Sequence, residues 1–436
     1  MEIPPVALLR QTTPQPRLAD LAAEVHHQWL ASRLPARLHR GDRVAVAVGS
    51  RGIARLETIV RSTLEALRDL GMRPFIVAAM GSHGGGTPEG QRQLLADYGV
   101  SEQTMRVPVL TDMTAVEIGT NSWGEPVYWD KNAWEADAVV TVSRIKPHTD
   151  FRGAYESGIV KMLVIGLGKR HGAARHHRWG VRGLRDMIPQ SARVVLDKTR
   201  FAAGLAVLEN AQEETALVRV VDRDELLEAE PRLLEQARAL MARLPFDQLD
   251  LLVIGEIGKN YSGSGIDPNV VGRLLMEGQP EPEAPRITRI CALDLSPESH
   301  GNATGIGIAD LTTDRLLAAI DPASFRMNNL TACFLWRCKL PIGFPTDRAC
   351  VEAGLATCWQ PDPQAVRLAV IPNTLELNEL WVSPALQEEA RGKPYLESAG
   401  SPQPLPFDAD GHLDQGRLFP HCVRSRRGSA HDRFDS

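Results

Sequence analysis

RVAVAVGSRGIARLETIVRSTLEALRDLGMRPFIVAAMGSHGGGTPEGQ, residues 43–91, reads as two strand–loop–helix units in succession. Residues 43–49 form a run of small apolar side chains, the pattern of a strand buried on both faces. The loop Ser50-Arg51-Gly52-Ile53-Ala54-Arg55 follows, then a helical pattern over 56–70 that closes at Gly71, a residue suited to the left-handed helix C-cap. A second apolar run at 74–80 leads into Gly81-Ser82-His83-Gly84-Gly85-Gly86. Thr87 then stands as N-cap, with Pro88 in the first turn of the next helix. This alternation predicts a parallel sheet joined by right-handed crossovers. Ligands of such sheets collect at the carboxyl ends of the strands.

Working outward, a third buried strand is predicted at 138–142. It runs into SRIKPHTDFRGAYESGIVKMLVIGLGKRHGAARHH, residues 143–177. This segment carries His148, His171, His176 and His177, together with Lys161 and Lys169 beside glycine-bearing turns. Arg51, His83 and His148 therefore all fall at strand ends. Upstream, 18–34 reads as an amphipathic helix whose His26 and His27 fit surface or core roles. Residues 104–135 read as a short β excursion, 193–196 and 201–209 as further strands, and 224–244 as a charged helix with Pro231 near its start.

Composition breaks near Leu244-Pro245, and 249–255 begins a second α/β unit whose strand ends in the loop 256–265 with Lys259 and Tyr261. Further strands are expected at 287–293 and 365–371, a helix at 310–320, and a frayed tail from about 394. The fold class expected is α/β: two α/β domains with mainly parallel sheets, 1–245 and 246–436.

A chain of 436 residues exceeds one ordinary core, which supports two domains. With 43% hydrophobic residues, 24% charged residues and a net charge of −5, it has the composition of an ordinary soluble protein. The mild acidic excess argues against a nucleic-acid partner. No apolar run reaches the length of a membrane span, and the first residues lack a signal-peptide pattern. The six cysteines (291, 333, 338, 350, 358 and 422) make no CxxC pair, so reduced thiols in the cytoplasm are expected rather than a zinc cluster.

On residue types alone, His83, His148 and the 171–177 cluster admit a metal site, since imidazoles on loops are common ligands. They equally admit hydrogen bonding to loop backbone. The lysines and Arg51 suit a carboxylate or phosphate. The Gly81–Gly86 loop is neither a Walker A loop nor a GxGxxG fingerprint, and Gly263-Ser264-Gly265 lacks a third glycine.

GSHGGGTPEGQ followed by KPHTDFRGAYESGIVKMLVIGLGK and RHH resembles the lactate racemase family, enzymes that use a nickel-pincer nucleotide. The resemblance spans about residues 40–270. It implies two α/β domains with the active site in the cleft between them. It implies that Lys161 attaches the cofactor covalently, with Arg51, Ser82, Gly158 and Gly166 also at the cofactor. His177 matches the nickel ligand, with His176 and His171 close enough to compete. His83 and His148 would be the acid/base pair, and Lys259 and Tyr261 would meet the substrate carboxylate. Two departures stand out: Gly-Ser-Arg-Gly replaces the family's Asp-x-Thr-Arg, and the segment between His148 and Lys161 is a few residues longer than in lactate racemase.

The function so implied is racemisation or epimerisation of a 2-hydroxy acid, by hydride abstraction and return at the α carbon. Its partners would be the small-molecule hydroxy acid and the cofactor-biosynthesis enzymes, with no nucleic acid and no membrane; a homo-oligomer is compatible with it. The alternatives are a metal-dependent hydrolase using the same histidines and a non-catalytic protein that binds an anionic ligand.

Overall fold

The computed structural model describes residues 2–13, 15–49 and 52–422. Arg51 and residues 423–436 thus lie outside the described residues. The chain divides into two compact units, one of residues 15–241 and one of 242–436 together with 1–14. Strand β1 (Val6–Gln11) belongs to the second of these.

The unit 15–241 contains β2 (Arg43–Val48), β3 (Arg73–Ala78), β4 (Val109–Leu110), the hairpin β5 (Ala115–Thr120) and β6 (Pro126–Asp130), then β7 (Ala138–Arg144), β8 (Phe201–Glu209) and β9 (Thr215–Asp222). Its main sheet has the order β4-β3-β2-β7-β8-β9 and is parallel except for the β8–β9 pair. Because β2 lies between β3 and β7, the loops after these three strands leave one edge of the sheet side by side.

Val44, Val46 and Val48 pack with Ile76, Val140 and Val142 against Ile59, Leu64 and Leu67 of the helix Leu56–Asp69. Each such side chain contributes roughly 1.5–3 kcal/mol on full burial. Buried Trp29 joins this layer and donates from Nε1 to Thr63 Oγ1 at 3.0 Å. On the other face, a Cβ at Gly204 of β8 would sit 2.8 Å from Ile159 Cδ1. That glycine lets the helical run beginning at Ile159 lie close on the sheet.

The other unit contains β10 (Gln248–Ile254), β11 (Arg286–Ala292), β12 (Leu311–Thr313), β13 (Ile342–Phe344), β14 (Leu368–Ile371), β15 (Glu379–Val382) and β16 (Leu396–Gln403). With β1 they form a sheet of order β13-β12-β11-β10-β14-β15-β1-β16. Its first five strands are parallel and the remainder antiparallel. Both units are thus α/β, with mostly parallel sheets.

Four expectations need correction. Residues 1–14 do not join the first domain, because β1 fills the gap between β15 and β16. The tail from 394 is not frayed as far as it is described. β16 pairs with β1 despite its Gly and Pro content, and Leu405, Leu413, Leu418 and Phe419 enter the core. Residues 193–196 are helical, within Ile188–Lys198, whose Ile188, Ser191, Ala192 and Val195 are buried at helical spacing. The stretch 310–320 opens with strand β12 before the helix Asp314–Ala318, which Thr313 caps.

Candidate active site

The turn after β3 is held from beneath. The Gly81 N–H donates to Gly166 O at 3.1 Å. The buried Gln91 donates from Nε2 to Gly81 O at 3.1 Å and to His83 O at 3.2 Å. Gly84 has φ +63°, and a Cβ there would lie 2.6 Å from the Gly90 carbonyl carbon, so this position excludes any side chain. Thr87 accepts from Gly90 N and caps the helix Pro88–Asp97. The result presents Ser82 and His83, both exposed, on a rigid backbone.

The loop after β2 is fixed by a second device. Arg144 Nη1, at the end of β7, lies 2.7 Å from Glu209 Oε2 and donates to Gly52 O at 3.1 Å. Glu209 Oε1 accepts from Ala54 N at 2.8 Å. Burial pushes the Glu209 carboxyl upward, and Arg144 opposes that shift.

The loop after β7 carries His148, which is only 3% exposed. Its backbone N–H donates to Glu156 Oε2 at 2.7 Å, while Glu156 Oε1 accepts from Gly153 N and from Arg238 Nη2 at 2.6 Å. The His148 ring lies over Phe151, with centroids 4.7 Å apart. The Asp150 N–H donates to Nδ1 at 2.9 Å, and Nε2 lies 2.5 Å from Lys161 Nζ. An acceptor role at Nδ1 puts the proton of a neutral ring on Nε2. The geometry sets two basic nitrogens within hydrogen-bond distance, with Asp150 Oδ2 3.8 Å from the ring's Nδ1.

Lys161 closes the short helix Ile159–Lys161, which continues through a π-helical turn, Met162–Gly166, toward the helix Lys169–His177. Such turns are rare and are concentrated at functional sites. Glu230 sits beneath the start of this run and accepts from Val160 N at 3.0 Å. Burial raises its carboxyl to about 7. A Cβ at Gly158 would lie 2.5 Å from Glu230 Oε1, and one at Gly166 would lie 2.6 Å from Ala79 O. Both glycines thus have a packing reason within the protein, beside any role at a cofactor.

The helix Lys169–His177 separates its three histidines. His176 is buried, with Nδ1 2.8 Å from Gly172 O and Nε2 2.9 Å from Ser191 Oγ. Burial lowers its pKa, which favours a neutral ring. With both nitrogens engaged, it has no lone pair left for a metal. His177 is half-buried, and His171 is exposed and tilted against Tyr128 at 5.8 Å between centroids. Lys169 is a structural lysine: fully buried, its Nζ lies 2.6 Å from Asp130 Oδ2 and donates to Ala78 O at 2.7 Å. It ties the end of β3 to β6. Among the described residues, no group of three or more His, Cys, Asp or Glu gathers as a metal site, so the hydrolase alternative finds no three-ligand set there.

In the other unit, the loop after β10 uses its polar groups internally. Lys259 Nζ donates to Asn328 Oδ1 at 2.7 Å, and the buried Tyr261 donates its phenol hydrogen to Glu256 Oε1. Burial, with Asp294, Glu298 and Glu376 nearby, raises Glu256 to about 7 although the Tyr261 hydrogen bond works against it.

Sequence reasoning missed Glu156, Glu209 and Glu230. Only Glu230 left a legible signal: it occupies an apolar-face position of the helix Leu226–Leu240, among buried Leu226, Ala229, Leu233, Leu234 and Ala237, where an unpaired acid is out of pattern.

The donor set fits a group anchored through an amine and ligated by one imidazole. Lys161 offers a partly buried amine beside a basic ring, and the helix that continues from it carries His177 after His176 is set aside. No helix of the described residues is long and apolar enough to cross a membrane. No curated protein matches the chain. Among solved structures, the lactate racemase apoprotein from Thermoanaerobacterium thermosaccharolyticum shares the fold with a TM-score of 0.51, at 12% identity over 84% of this chain and 94% of that one. The lactate racemase N-terminal domain matches residues 10–185, a span that holds the His83 turn, the His148–Lys161 pair and His177.

Proposed function

We propose that this chain is an isomerase, a racemase or epimerase of a 2-hydroxy acid, working with a nickel-pincer nucleotide held through Lys161 and His177. The observation that carries the reading is the His148–Lys161 contact of 2.5 Å on the same sheet edge as the His83 turn. When bound, such a group supplies the hydride acceptor that no side chain can provide. The remaining requirements fall on the protein. The substrate hydroxyl must lose a proton as hydride leaves the α carbon and regain it as hydride returns. Inversion requires a base available to each enantiomer, and two imidazoles meet that need near neutral pH.

On this reading His83 acts from an exposed turn, and His148 from a buried one whose backbone N–H donates to Glu156. Holding the reacting groups in such fixed positions is worth several kcal/mol of barrier. Arg51 and Ser82 remain candidates at the cofactor on the resemblance. Tyr261 is a weaker candidate for a substrate carboxylate, because its proton is given to Glu256 and a phenol oxygen's lone pairs repel an anion.

The test is intact mass and metal analysis of protein co-expressed with nickel-pincer biosynthesis enzymes. The expected result is an adduct that maps to Lys161 with near-stoichiometric nickel. In Lys161→Ala the adduct is lost; in His177→Ala nickel falls while the adduct stays. His176→Ala is expected to lower thermal stability with nickel retained. An unmodified, nickel-free chain beside a working biosynthesis control would overturn the reading.

A further inference from the structure

One face of the helix Lys169–His177, with Arg178 just beyond it, lines a cavity of about 450 Å³, within the size range of small-molecule sites. Arg170, His171, Arg175 and Arg178 contribute from the helix, Tyr128 from β6, and Gly86 from the His83 turn. Among the described residues, the carboxylate paired there is Glu125, 3.3 Å from Arg175 Nη1, and it also accepts from Trp179 Nε1 at 3.1 Å. Among the described residues, Arg170 and Arg178 have no acidic partner. Like charges along one helix face disfavour the helix. An unpaired guanidinium set in a concavity therefore gains from an anion that the protein does not itself supply.

The pocket adjoins one of the catalytic candidates. A Cβ at Gly86 would lie 3.5 Å from Arg170 Cδ, so the Arg170 stem rests on the turn that begins at His83. We infer that this pocket receives the distal carboxylate of a 2-hydroxy diacid, with Arg170 and Arg178 as the carboxylate contacts and Tyr128 and His171 as a wall. The substrate class rests on the hydroxy-acid isomerase reading; the binding does not.

The experiment is calorimetric titration of the full-length protein with malate, lactate and inorganic phosphate at fixed ionic strength. Malate is expected to bind at least about tenfold more tightly than lactate, the effect of one added charge-assisted contact. The double substitution Arg170→Gln/Arg178→Gln is expected to abolish that preference and leave lactate binding and the circular dichroism spectrum unchanged. Equal affinity for malate and lactate would overturn the proposal. So would malate binding that survives the double substitution, or phosphate binding more tightly than malate. If the double variant loses the circular dichroism spectrum, Arg178→Gln alone, at the helix end, gives the same reading. Malate binding that depends on the arginines, without any turnover by nickel-loaded protein, supports the pocket and overturns the isomerase reading.

Discussion

Two loops leave the carboxyl ends of buried parallel strands, one in each unit, and in sequence they look alike: glycines, a lysine and a ring-bearing side chain. After β7, the amine of Lys161 meets the imidazole of His148, and the ring's other nitrogen is taken by the Asp150 N–H. After β10, Lys259 meets a neutral amide oxygen and Tyr261 meets a carboxylate. The first loop sets base against base. The second pairs each donor with an acceptor, so it is settled. The difference lies in the partners: Asn328 and Arg238 come from distant segments, whereas Asp150, Glu156 and Glu256 lie within eight residues of the groups they meet.

The largest expected effect follows from that contrast. His148→Ala in the loaded enzyme is expected to lower turnover by about 10²–10⁴-fold, the range for removal of a general base, with nickel content unchanged. In the unloaded chain, an amine-directed acylating reagent near pH 7 is expected to modify Lys161 faster than the more exposed Lys259, because the His148 imidazole 2.5 Å from its amine can take up the proton that must leave before the amine reacts. His148→Ala should remove the advantage. Equal labelling rates at the two lysines would erase the distinction between the loops.

How much of this was legible depends on the range of the interaction. The parallel sheet of residues 15–241 could be read because its strands are continuous apolar runs and its helices carry their own caps, as at Thr87. The His83 and His148 turns could be read because they follow those runs directly. Local pattern failed where pairing is long-range. Residues 396–403 contain Ser, Gly and Pro and show no strand alternation, yet they pair because β1, some 390 residues earlier, offers an open edge. Val194 and Val195 suggested a strand because β-branched residues favour one, but burial at helical spacing prevailed. His176 and His177 are adjacent and chemically identical. Only Ser191 and Gly172, brought in by the fold, tell them apart.

An intermediate effect sits beneath the reactive loop. Burial raises the folded pKa of Glu230 to about 7, from the ordinary glutamate value of 4.5. Between those values the native state holds a proton that the unfolded chain has released, so stability is lost as pH rises through the window. The loss from this group alone is roughly 3 kcal/mol. Glu230→Gln keeps an oxygen to accept from Val160 N, and its denaturant midpoint is expected to lack this decline between pH 4.5 and 7. A variant whose pH profile parallels the parent would mean that Glu230 is not the buried acid that anchors the start of the Lys161 helix.

The smallest effect is expected in the settled loop, and it probes whether that loop is settled at all. Tyr261→Phe removes the donor that pulls the Glu256 carboxyl down, while burial and the charges of Asp294, Glu298 and Glu376 remain. The Glu256 carboxyl should therefore titrate higher than its value of about 7, as read by carboxyl ¹³C chemical shifts. Its folded pKa already exceeds the unfolded one, so stability contributed by this site falls as pH rises, and the variant should fall further at alkaline pH. Glu256 is partly exposed, and solvent keeps the difference small. Turnover should stay within about twofold, because a phenol that has given its proton to Glu256 is not the group that holds a substrate carboxylate. A large rise in KM with an unmoved Glu256 titration would show the opposite: Tyr261 would then release Glu256 when substrate arrives, and the two loops would be alike in chemistry as well as in sequence.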